Sequence, residues 1–172
     1  MADVLLINAD YLKRYTKLNG SVEDVFIYPS VIVAQEMHLQ TYLGSNLYEK
    51  IISDVEGGTI TGVYQTLLDD YIRRAAAWWV VLELIPNLYT KIDNGGLMIR
   101  VSEDTTPISQ RDFVRELDNA RNKAHFYTDK MIRYLCANSE LYPEYLTVPD
   151  GGIPAEKTVY NVAGFEISSK RR

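Results

Sequence analysis

Two apolar stripes limit what this chain can fold into. Tyr64, Leu68, Tyr71, Ala75, Trp78, Leu82 and Ile85 recur in alternating steps of four and three, the spacing that lines one face of an α-helix. Asp69, Asp70, Arg73 and Arg74 lie off that stripe. Phe113, Leu117, Ala120, Ala124, Tyr127, Met131 and Tyr134 repeat the same steps in a helix predicted from about Ser109 to Ala137. Its other face holds Asp112, Arg115, Asp118, Arg121, Asn122, Asp129 and Arg133, with Asp112/Arg115 and Asp129/Arg133 at ion-pair spacings. Two such helices bury their stripes best against each other. The expected fold is therefore mainly α, an antiparallel helical bundle.

The flanking segments fill in that bundle. Asn8 or Asp10 can cap a short helix that ends near Asn19-Gly20, and Ser21-Val22-Glu23-Asp24 has the form of a capping box. Pro29 suits a first helical position, with Tyr28 before it biased toward extended backbone. Gly44 is placed to close the helix begun there, and Ser45 to cap the next one, Asn46 to about Val55. Asp93-Asn94-Gly95-Gly96 is a turn signal, so Tyr89–Ile92 and Leu97–Val101 are expected to form a small β-hairpin. Pro143, Pro149, Asp150-Gly151-Gly152 and Pro154 mark a boundary. The division is a bundle over residues 1–146 and an extended C-terminal tail over 147–172, in which Thr158 to Ile167 alternates loosely like a strand that could contact neighbouring subunits.

Composition excludes more than it assigns. One cysteine cannot form an internal disulfide, and with two histidines it cannot build a Cys/His zinc cluster. The net charge of −5 argues against DNA binding by phosphate neutralisation. The start, Met1 to Ile7, has no basic segment, and the apolar stretch Ala75–Ile85 is interrupted by Glu83 and stopped by Pro86. That stretch is short of the ~20 residues of a membrane span. A soluble intracellular protein with no membrane partner is the expectation.

Residues that could carry chemistry have structural readings. His38 and His125 lie in no His-x-x-x-His or Glu-x-x-His arrangement, so no metal site is expected and both are read as surface or hydrogen-bonded residues. Cys136, between Leu135 and Ala137, is read as a small buried apolar residue. Asp69 and Asp70 point to different helix faces and form no catalytic dyad. The glycine pairs belong to turns, since none sits in a phosphate-binding loop. No enzyme activity and no cofactor are expected. The 13 tyrosines are read mainly as rim residues of the core, with interfaces as the competing role.

Ile32-Val33-Ala34-Gln35 and Tyr42-Leu43-Gly44-Ser45-Asn46-Leu47-Tyr48, then a long Ala- and Trp-rich helix, a polar turn and a long helix ending in Asn138…Tyr142-Pro143-Glu144-Tyr145, form a series. It resembles the head–tail connector (adaptor) proteins of tailed bacteriophages, in particular the ring-forming adaptor of crAss-like phages. The resemblance covers about residues 5–146. It implies a non-enzymatic virion protein that assembles as a homo-oligomeric ring, usually dodecameric, beneath the portal protein and linked to later tail or ring proteins. The genome would pass through the channel without sequence-specific binding, and an acidic lining would let DNA slide. On that reading Tyr160, Phe165 and Ile167 are candidate tail anchors. Asn94, Arg100 and Asp104, in the 93–106 loop, are candidates for a second contact or a channel-facing segment. A reading from another class is a soluble helical regulatory or ligand-binding module, with a pocket near Trp78 and Tyr127. DNA binding through Lys170-Arg171-Arg172 ranks below both.

Overall fold

The computed structural model describes residues 4–94, 96–99 and 108–159. Asn8 caps α1 (Ala9–Tyr15) by accepting from the Tyr11 amide at 2.9 Å. The helix stops four residues short of the expected Asn19-Gly20 end. Helix α2 (Asp24–Val33) runs through a π-helical turn (Ala34–Leu39) into α3 (Gln40–Leu43), and α4 (Ser45–Glu56) comes next. Helix α5 (Gly62–Leu67) continues through a second π-helical turn (Leu68–Ile72) into α6 (Arg73–Tyr89). Strands β1 (Thr90–Asp93) and β2 (Gly96–Ile99) pair antiparallel with Ile92 opposite Leu97 and Asp93 opposite Gly96. Helix α7 (Gln110–Ala137) and two 3-10 turns, Ser139–Leu141 and Pro143–Leu146, complete the elements. The fold is mainly α, as expected. Among the described residues no helix is long and apolar enough to cross a membrane.

Helices α6 and α7 form the antiparallel centre. Tyr71 stacks on Tyr134, Trp79 meets Thr128 and Tyr89 stacks on Phe113, so one helix descends as the other rises. The expected α7 stripe holds: Ala120, Ala124 and Met131 are buried, while Asp112/Arg115 and Asp129/Arg133 pair at 3.0 and 2.8 Å on the outside. In α6 the expectation holds in part, since Leu68, Ala75 and Leu82 are buried, and otherwise needs correction. Tyr71 and Trp78 are only partly buried, whereas Ile72 and Trp79 point inward. The π turn at Leu68–Ile72 adds a residue to one turn, which rotates the rest of the helix by about 100° and displaces the stripe. Helix α6 is also apolar nearly all round: Ala75, Ala76, Ala77, Val80, Val81 and Leu84 are all buried. It packs against α2, the first π turn and α7, which leaves Arg74 near its start and Asn87 near its end exposed.

Other local expectations yield to packing. Pro29 lies inside α2, and Tyr28 is helical. Proline cannot donate to the Val25 carbonyl, a local cost. Burial of Ile27 and Val31 on the same helix opposes it. The Ser21 capping box does not form, because α2 starts at Asp24 with Glu23 as its N-cap. Cys136 is exposed rather than buried; Leu135 beside it takes the inward position. Asp69 pairs with Arg73, and Asp70 lies 3.7 Å from Arg74, so each acid meets the arginine one turn on.

Several tyrosines close the bundle's lower end. Tyr142 is fully buried and donates to the Val63 carbonyl at 3.0 Å, with its oxygen 3.1 Å from the Tyr134 hydroxyl. Tyr64 donates to Glu144 at 2.7 Å. Burial, reinforced by the Glu144 carboxylate, pushes the Tyr64 hydroxyl up to about 12. These rings tie α5 and α7 to the 3-10 turns. Tyr15 and Tyr28 are exposed.

Candidate functional site

The two histidines, 87 positions apart in sequence, meet on the same indole. His38, in the first π turn, stacks on Trp79 with centroids 3.8 Å apart and planes inclined by 9°. Its Nε2 lies 2.9 Å from Glu83 Oε1, and a carboxylate can only accept, so Nε2 carries the hydrogen. His125 meets the Trp79 edge at 5.3 Å and 65°. The indole N–H donates to Thr128 at 2.9 Å in the buried interior. Tyr42 stacks farther out, at 6.5 Å. The indole thus joins the π turn, α6 and α7. Sequence reasoning missed this meeting because each histidine was weighed against its own helix. The π turn was the absent signal, since it re-aims both His38 and its neighbours.

Chemically this junction is a packed polar pair and not an open site. Among the described residues no three His, Cys, Asp or Glu side chains converge to hold a metal ion. His125 Nδ1 is buried without a hydrogen-bond partner among the described residues. Burial, then the Arg121 charge and the neighbouring His38, holds this imidazole below its ordinary value. The folded protein therefore binds this proton less readily than the unfolded chain. The associated stability is complete above the unfolded value of about 6.5 and is lost as pH falls through the folded value. Melting temperature is expected to drop between pH 7.5 and 5, and less steeply in His125→Phe. Parallel slopes for the two proteins would refute the assignment.

The hairpin carries the one predicted loop residue that can be placed. Asn94 is exposed at its turn. Arg100 and Asp104 lie outside the described residues, as do the predicted tail anchors Tyr160, Phe165 and Ile167. Beside Asn94 the hairpin exposes Ile92, at 88%, together with Met98 and Ile99. Lys123 Nζ sits 4.1 Å from the Trp78 ring centroid, and Tyr127 packs edge-on to Phe126 at 5.3 Å.

The start of the tail is strapped to its own bundle at the corner between α3 and α4. Ser45 N–H donates to the Ile153 carbonyl at 3.0 Å, and the Ile153 N–H donates to Ser45 Oγ at 2.8 Å. Ser45 therefore does not cap α4, contrary to expectation; Gly44 holds the N-cap position. The Glu156 N–H donates to the Thr41 carbonyl at 2.9 Å, and Asn46 Nδ2 to Thr147 Oγ1 at 2.8 Å. Gly44, at φ +75°, brings its α-carbon so close that an added Cβ would lie 2.9 Å from the Ala155 nitrogen. Residues 152–159 form neither helix nor strand, so the expected strand from Thr158 is not present at Thr158 and Val159, and the rest of it lies outside the described residues.

A family model described as a family of unknown function (DUF6712) matches residues 39–153, about two-thirds of the chain. The chain belongs to the DUF6712 family. No curated protein and no solved structure matches it. The DUF6712 region runs from the last residue of the first π turn to Ile153, and so contains both sides of the Ser45–Ile153 clasp. It also contains α6, the hairpin, α7 and both partners of the Trp79–Thr128 bond. His38 falls one residue outside it. The clasp was not legible in sequence, because it pairs backbone groups more than a hundred residues apart.

Proposed function

We propose that this protein is a head–tail adaptor of a tailed bacteriophage, assembling as a homo-oligomeric ring beneath the portal protein at the capsid vertex. Later tail or ring proteins dock on its other side, and the genome passes through the ring without sequence-specific contact. The observation that supports this reading best is the hairpin. It projects from the end of the central helix with Ile92, Met98 and Ile99 exposed. Apolar side chains held outside the core on a short sheet offer contact area to a neighbouring protein. The helical series and the compact bundle beneath supply a rigid base for them, consistent with the resemblance to phage adaptors.

Size-exclusion with light scattering, then negative-stain imaging with and without portal protein, tests the proposal. Rings, free or on the portal, are the expected result. A protein that stays monomeric and does not bind portal would refute it. Ile92→Asp is expected to weaken assembly at least tenfold while shifting the melting temperature by no more than about 2 °C, as for an exposed position. Unchanged assembly would remove the hairpin from the interface.

A further inference from the structure

We propose that the outer face of α2 and the first π turn is the docking surface for this chain's own C-terminal segment, Val159–Ile167. That face carries Val25, Tyr28, Val33 and Met37, all exposed, with Val25 at 64% and Met37 at 63%. They follow one another at steps of three, five and four residues along a continuous helical run, with Pro29, also exposed, between Tyr28 and Val33. Four large apolar residues spread along the broad outer side of one helical run form an apolar surface available for docking.

The strap supplies the direction. Its backbone meets Ser45 at Ile153 and Thr41 at Glu156, so the chain travels backward along α3 toward Met37. Ala155 and Val159 are already half-buried against the core. The 16 residues from Lys157 to Arg172 can span up to about 53 Å when extended. Thr41 to Val25 along a helix is only about 24 Å. Reach is therefore ample.

The order of chemistry also matches. Moving away from the strap, the segment offers Val159, Val162, Phe165 and Ile167, then Lys170-Arg171-Arg172. Moving the same way, the helix offers Met37, Val33, Tyr28 and Val25, then Asp24 and Glu23. Apolar order matches apolar order, and the basic residues match Glu23, Asp24 being already paired with Lys13 at 3.2 Å. The direction comes from the cis strap, which is why the occupant is the same chain and not a second copy. This inference does not rest on the adaptor reading, and it places Phe165 and Ile167 on their own chain instead of on a neighbouring subunit.

Phe165→benzoylphenylalanine in the full-length chain, irradiated at dilute concentration, tests it. The expected product runs at monomer size and carries a crosslink to peptides between Asp24 and Thr41. Val33→Asp should reduce that capture at least fivefold without changing the melting temperature. Crosslinked dimers would assign the face to a second copy and overturn the proposal. Capture elsewhere on the bundle, capture insensitive to Val33→Asp, or no capture at all would overturn it as well.

Discussion

Trp79→Ala is expected to melt roughly 6–20 °C below the parent protein. Removing a large buried aromatic costs about 3–5 kcal/mol, and a chain of this size loses about 2–4 °C per kcal/mol. Trp79 is 4% exposed, and four side chains depend on it. His38 loses the ring it stacks on, Thr128 its buried donor, and His125 and Tyr42 their aromatic neighbour. Because these come from the π turn, α3 and α7, the cavity cannot be closed by a single side chain. Thr128→Val isolates one part of the effect. It leaves the indole N–H without its buried acceptor, a loss of about 1–3 kcal/mol. Calorimetry on both variants decides the matter, and a drop under 3 °C for Trp79→Ala would show that the junction is not central.

Gly44→Ala is expected to release the strap. The Gly44 backbone, at φ 75° and ψ 157°, occupies a region essentially restricted to glycine, where another residue costs about 1–3 kcal/mol. The new Cβ would also press on the Ala155 nitrogen at 2.9 Å, where only a backbone shift can relieve it. Both effects push the strap off the corner and break the Glu156–Thr41 and Ser45–Ile153 bonds. Tryptic cleavage after Lys157, now held 5.6 Å from the Tyr145 ring, should quicken at least tenfold. Cleavage at the parental rate would mean that the strap is held elsewhere. If the C-terminal segment docks along α2, this variant also lowers the Phe165 crosslink yield, because the strap aims it.

The helical class, the α7 stripe with its outer ion pairs, the hairpin and the turn at Gly44 were all legible from spacing and turn chemistry. Those features depend on neighbours within a few residues, where helical period and glycine backbone freedom act directly. The inward face of α6 was legible only in part: Ala75 and Leu82 are buried as expected, but Trp79 rather than Trp78 enters the core. A π turn shifts the register by one residue, and nothing in a count of fours and threes announces it. Pro29 misled for a related reason. A proline is a local signal, and the burial of Ile27 and Val31 outweighs it only once α2 lies on α6. Ser45 had the right chemistry for a cap, yet its hydroxyl serves a stretch of chain from the far end of the sequence.

The candidate site divides along the same line. By itself the sequence determined which segments are helical, which residues are acidic or apolar, and that one cysteine and two histidines are too few for a Cys/His zinc cluster. Only the tertiary structure decided that His38 and His125 share Trp79, that the tail begins by strapping its own bundle, and that Ile92 stands outside the core. Periodicity records how a residue relates to its own helix, whereas contacts between distant segments depend on how whole helices rotate and dock. A one-residue rotation at Leu68–Ile72 was enough to choose which tryptophan enters the core, and with it the pair of imidazoles that meets there.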